Sequence, residues 1–153
     1  MNSILVLCTG NICRSPMAAA RLSRVLPSME IISAGLTACV NVPADPWALK
    51  LMRDSGADIS AHRGRQVTLT MLAKAHLVLV MELAQQRQVE SLYPAARGKV
   101  WRLGHFGGVD VPDPYGADEQ MFRTSLQLID VGVKEWGDRL TRLAHQHLAR
   151  EVA

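Results

Sequence analysis

Apolar runs of strand length alternate along the chain with segments in which apolar residues recur at helical spacing. Ile4 to Leu7 is a short unbroken apolar run, the pattern of a central strand buried on both faces. Pro16 suits the first turn of a helix reaching about Leu26, with Ser15 as its candidate N-cap. Met29 to Ser33 reads as a second strand. Asp45 and Pro46 open a helix that runs through Trp47, Leu49 and Met52 until Gly56 stops it. Thr68 starts a short helix before the third strand, Leu77 to Met81. A helix from about Ala84 to Leu92, a fourth strand from Lys99 to Leu103, a loop rich in Gly and Pro, and a final helix from about Asp118 to His147 complete the pattern.

The order is β-α-β-α-α-β-α-β-α, with no repeats and no Pro/Gly/Ser linkers, which predicts one domain over 1–153 built on a parallel sheet wrapped by helices. Crossovers of this kind are right-handed, and open α/β sheets bind ligands at the carboxyl ends of their strands. Two loops should therefore meet there, Cys8 to Ser15 and Gly104 to Gly116.

Composition narrows the class. With 153 residues, 48% apolar and 20% charged, the chain supports one hydrophobic core. Its longest apolar stretches fall far short of the ~20 residues of a membrane span, and no basic segment precedes an apolar block at the start. No stable membrane insertion is expected, and the cytoplasm is the expected location. Three cysteines, two of them close in sequence, argue against a disulfide framework. The net charge of +3 mildly favours anionic partners, but no basic helix or aromatic-interleaved run marks a nucleic-acid binder. His145 and His147 point to different faces of a helix, and His62, His76 and His105 lack ligand spacing, so no metal is expected.

The chemistry concentrates in Cys8-Thr9-Gly10-Asn11-Ile12-Cys13-Arg14-Ser15, a Cys, five residues, Arg, then Ser, between a buried strand and a helix start. Spacing alone is weak evidence; the strand-loop-helix context gives it weight. A loop ending at a helix N-terminus aims several N–H groups at one point, which suits a dianionic phosphoryl group. Gly10 and Asn11 tolerate the left-handed backbone such a nest needs. Thr9, Gly10, Asn11, Ile12, Cys13, Arg14 and Ser15 thus form the expected phosphate-binding loop, and the same field favours a thiolate nucleophile at Cys8. Arg14 offers a planar fork for two phosphoryl oxygens, and Ser15 can donate its hydroxyl to the Cys8 sulfur. Cys13 either packs the loop or traps oxidised Cys8 as a disulfide; Cys39 has no partner in the sequence and reads as an inert or exposed thiol. An aryl phosphate needs a proton donor opposite the nucleophile. Asp113, held between Pro112 and Pro114, is the candidate, and Asp110 is its rival.

Cys8 to Pro16 (CTGNICRSP), Ser33-Ala34-Gly35 and Asp113-Pro114-Tyr115 together resemble the low-molecular-weight protein tyrosine phosphatases over essentially the whole chain. The resemblance implies a three-layer α/β sandwich with a four-stranded parallel sheet in the order 2-1-3-4, the flavodoxin-like phosphatase fold. It implies phosphotyrosine hydrolysis through a phosphocysteine intermediate, without cofactor or metal. Cys8 would be the nucleophile, Arg14 the clamp, Ser15 the thiolate's partner and Asp113 the general acid. It further implies that Asn11 braces the loop, that Cys13 is a redox partner of Cys8, and that Val40, in the variable loop Thr37 to Asp45, and Tyr115 wall the substrate cleft. Arg97 to Val100, Gly104-His105-Phe106 and a lone Tyr115 before Gly116 resemble the bacterial branch associated with capsule and exopolysaccharide gene clusters. The implied partner is a tyrosine-phosphorylated protein, a bacterial tyrosine kinase that controls polymer synthesis.

Three other readings share some of these residues. A thiol-dependent arsenate reductase relays its disulfide to further cysteines, and none follows Cys39. Protein arginine phosphatases also resemble the chain but typically carry Thr where Ile12 stands. A module that binds phosphopeptides without cleaving them would not need Cys8, Arg14 and Asp113 together.

Overall fold

The apolar positions sort onto two faces of one sheet. The computed structural model describes residues 2–151, with side chains described through Gln146; the side chain of His147 lies outside the described residues. In β1 (Ser3–Cys8) and β3 (Leu77–Val80) every residue except Ser3 is buried. Ile4, Val6 and Leu79 pack with Met17 of α1 (Arg14–Val25), Met52 of α2 (Pro46–Asp54) and Phe122 and Ile129 of α5 (Glu119–Glu151). Leu5, Leu7, Val78 and Val80 pack on the other face with Leu72 of α3 (Leu69–Lys74) and Val89 of α4 (Leu83–Leu92). Burial on both faces is why these strands read as unbroken apolar runs.

β2 (Glu30–Gly35) and β4 (Val100–Arg102) complete a parallel four-stranded sheet in the order β2-β1-β3-β4. This is the expected three-layer α/β architecture. The chain passes from β1 to β2 on one side and then crosses back to β3 on the other, so the switch point lies at the carboxyl ends of β1 and β3. Cys8 is the last residue of that strand and stands opposite Gly35.

Local chemistry sets the helix starts. Asp45 accepts from Trp47 N at 2.9 Å with Pro46 at the first helical position, and Thr68 Oγ1 accepts from Met71 N at 3.2 Å. Helix α1 departs from expectation. It begins at Arg14, its N-cap is Cys13, and no side chain caps it. Ser15 is therefore not the cap: it lies inside the first turn, and its hydroxyl meets Cys8 and Asn11 instead of a free N–H. Pro94–Ala96 forms a 3-10 turn that the pattern did not signal, and α5 continues to Glu151, past the expected end at His147.

Trp101 and Trp136 differ in burial. Trp136 is buried and donates to Leu103 O at 3.1 Å, whereas Trp101 is half-buried with its ring edge against His105. Beside Trp136's contact, a Cβ on Gly132 would come within 2.6 Å of Leu103 O. Only glycine lets α5 lie this close to the end of β4, where the loop carrying Asp113 begins.

Candidate active site

The loop between β1 and α1 turns its carbonyls outward. Leu36 N, Thr37 N, Cys39 N and Asp45 N donate to the carbonyls of Cys8, Thr9, Gly10 and Ile12 at 2.8–3.0 Å. His62 Nε2 donates to the remaining one, Asn11 O, at 2.7 Å. With the negative ends of these peptide dipoles tied outside, their positive ends favour an anion within, as in other backbone nests. Gly35 permits this wrapping, since a Cβ there would lie 2.6 Å from Thr9 O.

Asn11 alone takes the left-handed turn, at φ 57°; Gly10 does not share it. The buried Asn11 amide makes that conformation stable. Its Nδ2 donates to Ser15 Oγ at 2.8 Å and Ser33 Oγ at 3.0 Å, and its Oδ1 accepts from Arg65 N at 2.9 Å. Because Ser15 Oγ already accepts from Asn11, its single proton is free for Cys8 Sγ, 2.9 Å away. Asn11 N donates to the same sulfur at 3.3 Å. Burial, with help from Arg65 and Arg63, holds the His62 pKa below its ordinary value, against the opposing pull of its bond to Asn11.

Arg14 is 1% exposed, and its guanidinium is fixed from two sides. Nη1 donates to Val111 O at 2.9 Å and to the Glu82 carboxylate, while Nη2 pairs with Asp113 Oδ2 at 3.0 Å. Nε is buried without a partner among the described residues. Nε–H and Nη2–H share one edge of the group, the edge that grips two oxygens of an anion. Cys8, Arg14 and Asp113 together line a pocket of about 150 Å³, with Ile12, Cys13 and the largely exposed Tyr115.

Other sequence expectations land differently. Val40 is exposed and does not line this pocket; Cys39, bonded through its N–H to Gly10 O, lines it instead. Cys39 is thus a half-buried part of the pocket wall. Asp110 accepts from Leu83 N at 3.1 Å and pairs with Arg102 at 2.8 Å, which makes it a brace of the loop that carries Asp113. Cys13 is buried; burial foremost, then the charges of Asp45, Cys8 and Asp113, push its thiol far above the ordinary range. Arg63 donates to Ser60 O and His62 O. No group of three His, Cys, Asp or Glu side chains among the described residues is placed to hold a metal ion.

Glu82 and Gln85 were not singled out in the sequence, and His62 was considered there only as a metal ligand. The one visible hint was an acid at the end of a strand with Gln three residues on, the spacing of a helix start.

The arrangement offers a nucleophilic sulfur, a guanidinium fork and a carboxyl group around one anion-sized pocket. The family described as low molecular weight phosphotyrosine protein phosphatase matches residues 3–148. The chain is 44% identical over 143 residues to the probable low molecular weight protein-tyrosine-phosphatase EpsP of Ralstonia nicotianae, covering 94% of this chain and 99% of that one. It resembles the tyrosine phosphatase Wzb of Escherichia coli K30, solved in complex with sulphate, at a TM-score of 0.88 and 39% identity, covering 91% of this chain and 98% of that one. It also resembles the YwlE arginine phosphatase of Geobacillus stearothermophilus at a TM-score of 0.90 and 29% identity, covering 96% and 97%.

Proposed function

Since the chain belongs to the low molecular weight phosphotyrosine protein phosphatase family, we propose that it hydrolyses protein phosphotyrosine through a phosphocysteine intermediate formed on Cys8. The observation that carries this reading is the sulfur of Cys8, hydrogen-bonded by Ser15 and Asn11 N, in the pocket whose lining also holds Arg14 and Asp113.

In the first step Cys8 Sγ attacks phosphorus, the S–P bond forms and the bond to the tyrosyl oxygen breaks. Asp113 supplies the proton that lets the leaving group depart as neutral phenol. The inward N–H groups and the Nε/Nη2 edge of Arg14 hold the equatorial oxygens as charge redistributes among them. Binding of the dianion takes Nη2 from Asp113, which is only half-buried and able to swing toward the leaving oxygen. In the second step water attacks phosphorus, the ionised Asp113 takes its proton, and Cys8 departs as a thiolate stabilised by Ser15 O–H. Cys13 is the resolving partner in this reading: once a peroxide has oxidised Cys8 to the sulfenic acid, the Cys13 sulfur attacks the Cys8 sulfur, the S–O bond breaks, water leaves and the Cys8–Cys13 disulfide forms.

Replacing Cys8 with Ser should abolish p-nitrophenyl phosphate turnover and leave the circular dichroism spectrum and melting temperature close to the parent's. Retained turnover overturns the nucleophile assignment. The likeness to an arginine phosphatase favours one rival substrate, and comparing phosphotyrosine with phosphoarginine peptides decides between them. Ile12 in the pocket wall supports the aromatic ester.

The physiological partner in this reading is a bacterial tyrosine autokinase that controls exopolysaccharide synthesis, met in the cytoplasm. The motifs around Arg97, Gly104 and Tyr115 support it, and among the described residues no helix is long and apolar enough to cross a membrane. Loss of phosphotyrosine from such an autophosphorylated kinase on incubation with the protein tests this assignment.

A further inference from the structure

Gln85 is 5% exposed, and its amide joins groups on two sides of the switch point. Its Oε1 accepts from Met81 N at 2.9 Å and Glu82 N at 3.2 Å, the two residues that follow β3. Its Nε2 donates to Thr9 Oγ1 at 3.2 Å, on the residue after Cys8. The Glu82 carboxylate in turn grips Arg14 Nη1. One buried amide therefore fixes the first residue of the phosphate loop directly and the arginine near its end through Glu82.

Few side chains can do this. Two N–H groups must be accepted and a hydroxyl must be donated to from the same planar group, which among neutral side chains only an amide supplies. Glutamate loses the donor to Thr9 and sets a second negative charge beside Glu82. Methionine keeps the length and loses every bond.

We propose that Gln85 is a positioning residue for phosphoryl transfer: it seats Glu82 so that the Arg14 fork is aimed, and it holds Thr9 beside the nucleophile. This rests on the reading of Arg14 as the phosphate clamp. A fork turned off its line loses most where charge is redistributing, so kcat falls more than KM rises. A merely structural glutamine would lower thermal stability and leave the kinetics of the folded enzyme intact.

The test compares Gln85→Met, Gln85→Glu, Thr9→Val and the Gln85→Met/Thr9→Val double variant on p-nitrophenyl phosphate, with orthovanadate inhibition and thermal melts alongside. Gln85→Met and Gln85→Glu should each lower kcat about tenfold or more with KM changed less than about threefold, and weaken vanadate inhibition in step with kcat/KM. Thr9→Val should show a smaller loss, and the double variant should be no worse than Gln85→Met alone. If Gln85→Met keeps kcat and vanadate inhibition near the parent's whatever its melting temperature, or if the two losses multiply, the proposal is overturned. Should the Gln85 variants fail to fold, Thr9→Val decides: unchanged kcat and vanadate affinity overturn it, and a parallel loss in both supports it. Cys8→Ser, run beside them, separates the two claims, because activity there overturns the site itself and its absence leaves Gln85 to be judged alone.

Discussion

Arg14 shares its N–H donors among three partners, and the sharing bears on the acid proposed at Asp113. Val111 O and Glu82 hold one end of the guanidinium, so Asp113 can be released from the other end without freeing the arginine. Asp113→Asn should therefore cut turnover of an alkyl-substituted phenyl phosphate roughly 10²-fold or more. The loss should be smaller for p-nitrophenyl phosphate, whose leaving group needs no proton. Equal losses on both substrates, measured as kcat/KM, would point to a disturbed fork instead of a missing acid. Little stability should be lost, because Asp113 is half-exposed and such pairs contribute about 0–1 kcal/mol. That Cys8, Arg14 and Ser15 would come together was legible because they are neighbours along one loop. Glu82 was not, since it reaches Arg14 from 68 positions away and its acidity alone says nothing about a partner.

Among elements, the phosphate loop is shaped by two segments that have no regular structure of their own. Residues 36–45 take up its outward carbonyls, and 62–65 engage Asn11 through His62 Nε2 and Arg65 N. The His62 contact ties stability to pH. Its folded pKa lies below the ordinary value of about 6.5, so the unfolded chain binds the proton more readily. The stability it contributes is full above that ordinary value and drains away as pH falls through it toward the lower folded value. His62→Gln should cost about 1 kcal/mol at pH 7.5, the usual scale for one hydrogen bond, and less at pH 5.5. Thermal melts across that range check it, and parallel curves for parent and variant would remove His62 as the cause. The strands and helices themselves were readable because burial on both faces and helical spacing leave a mark in the order of residues. The segments between them left none: the bond from His62 to Asn11 spans 51 positions, and nothing local announces it.

At the scale of the whole molecule, the sheet order brings the loops that line the pocket to the carboxyl ends of the strands, while α5 packs on the sheet face it shares with α1 and α2. The two loops expected to meet do so through Arg14, whose contacts reach Val111 and Asp113. The topology was foreseeable from element order and handedness, whereas the reach of the variable segment was not. Val40 and Cys39 are adjacent, and only the folded backbone decides which of them faces inward.

The absence of a side chain at Gly132 sets local and global preference against each other. Alanine favours an isolated helix by up to about 1 kcal/mol over glycine. In the assembled protein, however, the added methyl group would press on Leu103 O and drive α5 off the sheet. A synthetic peptide spanning 119–146 should thus gain helicity from Gly132→Ala, while the folded 153-residue protein melts at a lower temperature. An identical atom would reverse its sign with context, a direct gauge of how far this protein trades the comfort of a part for the closure of the whole.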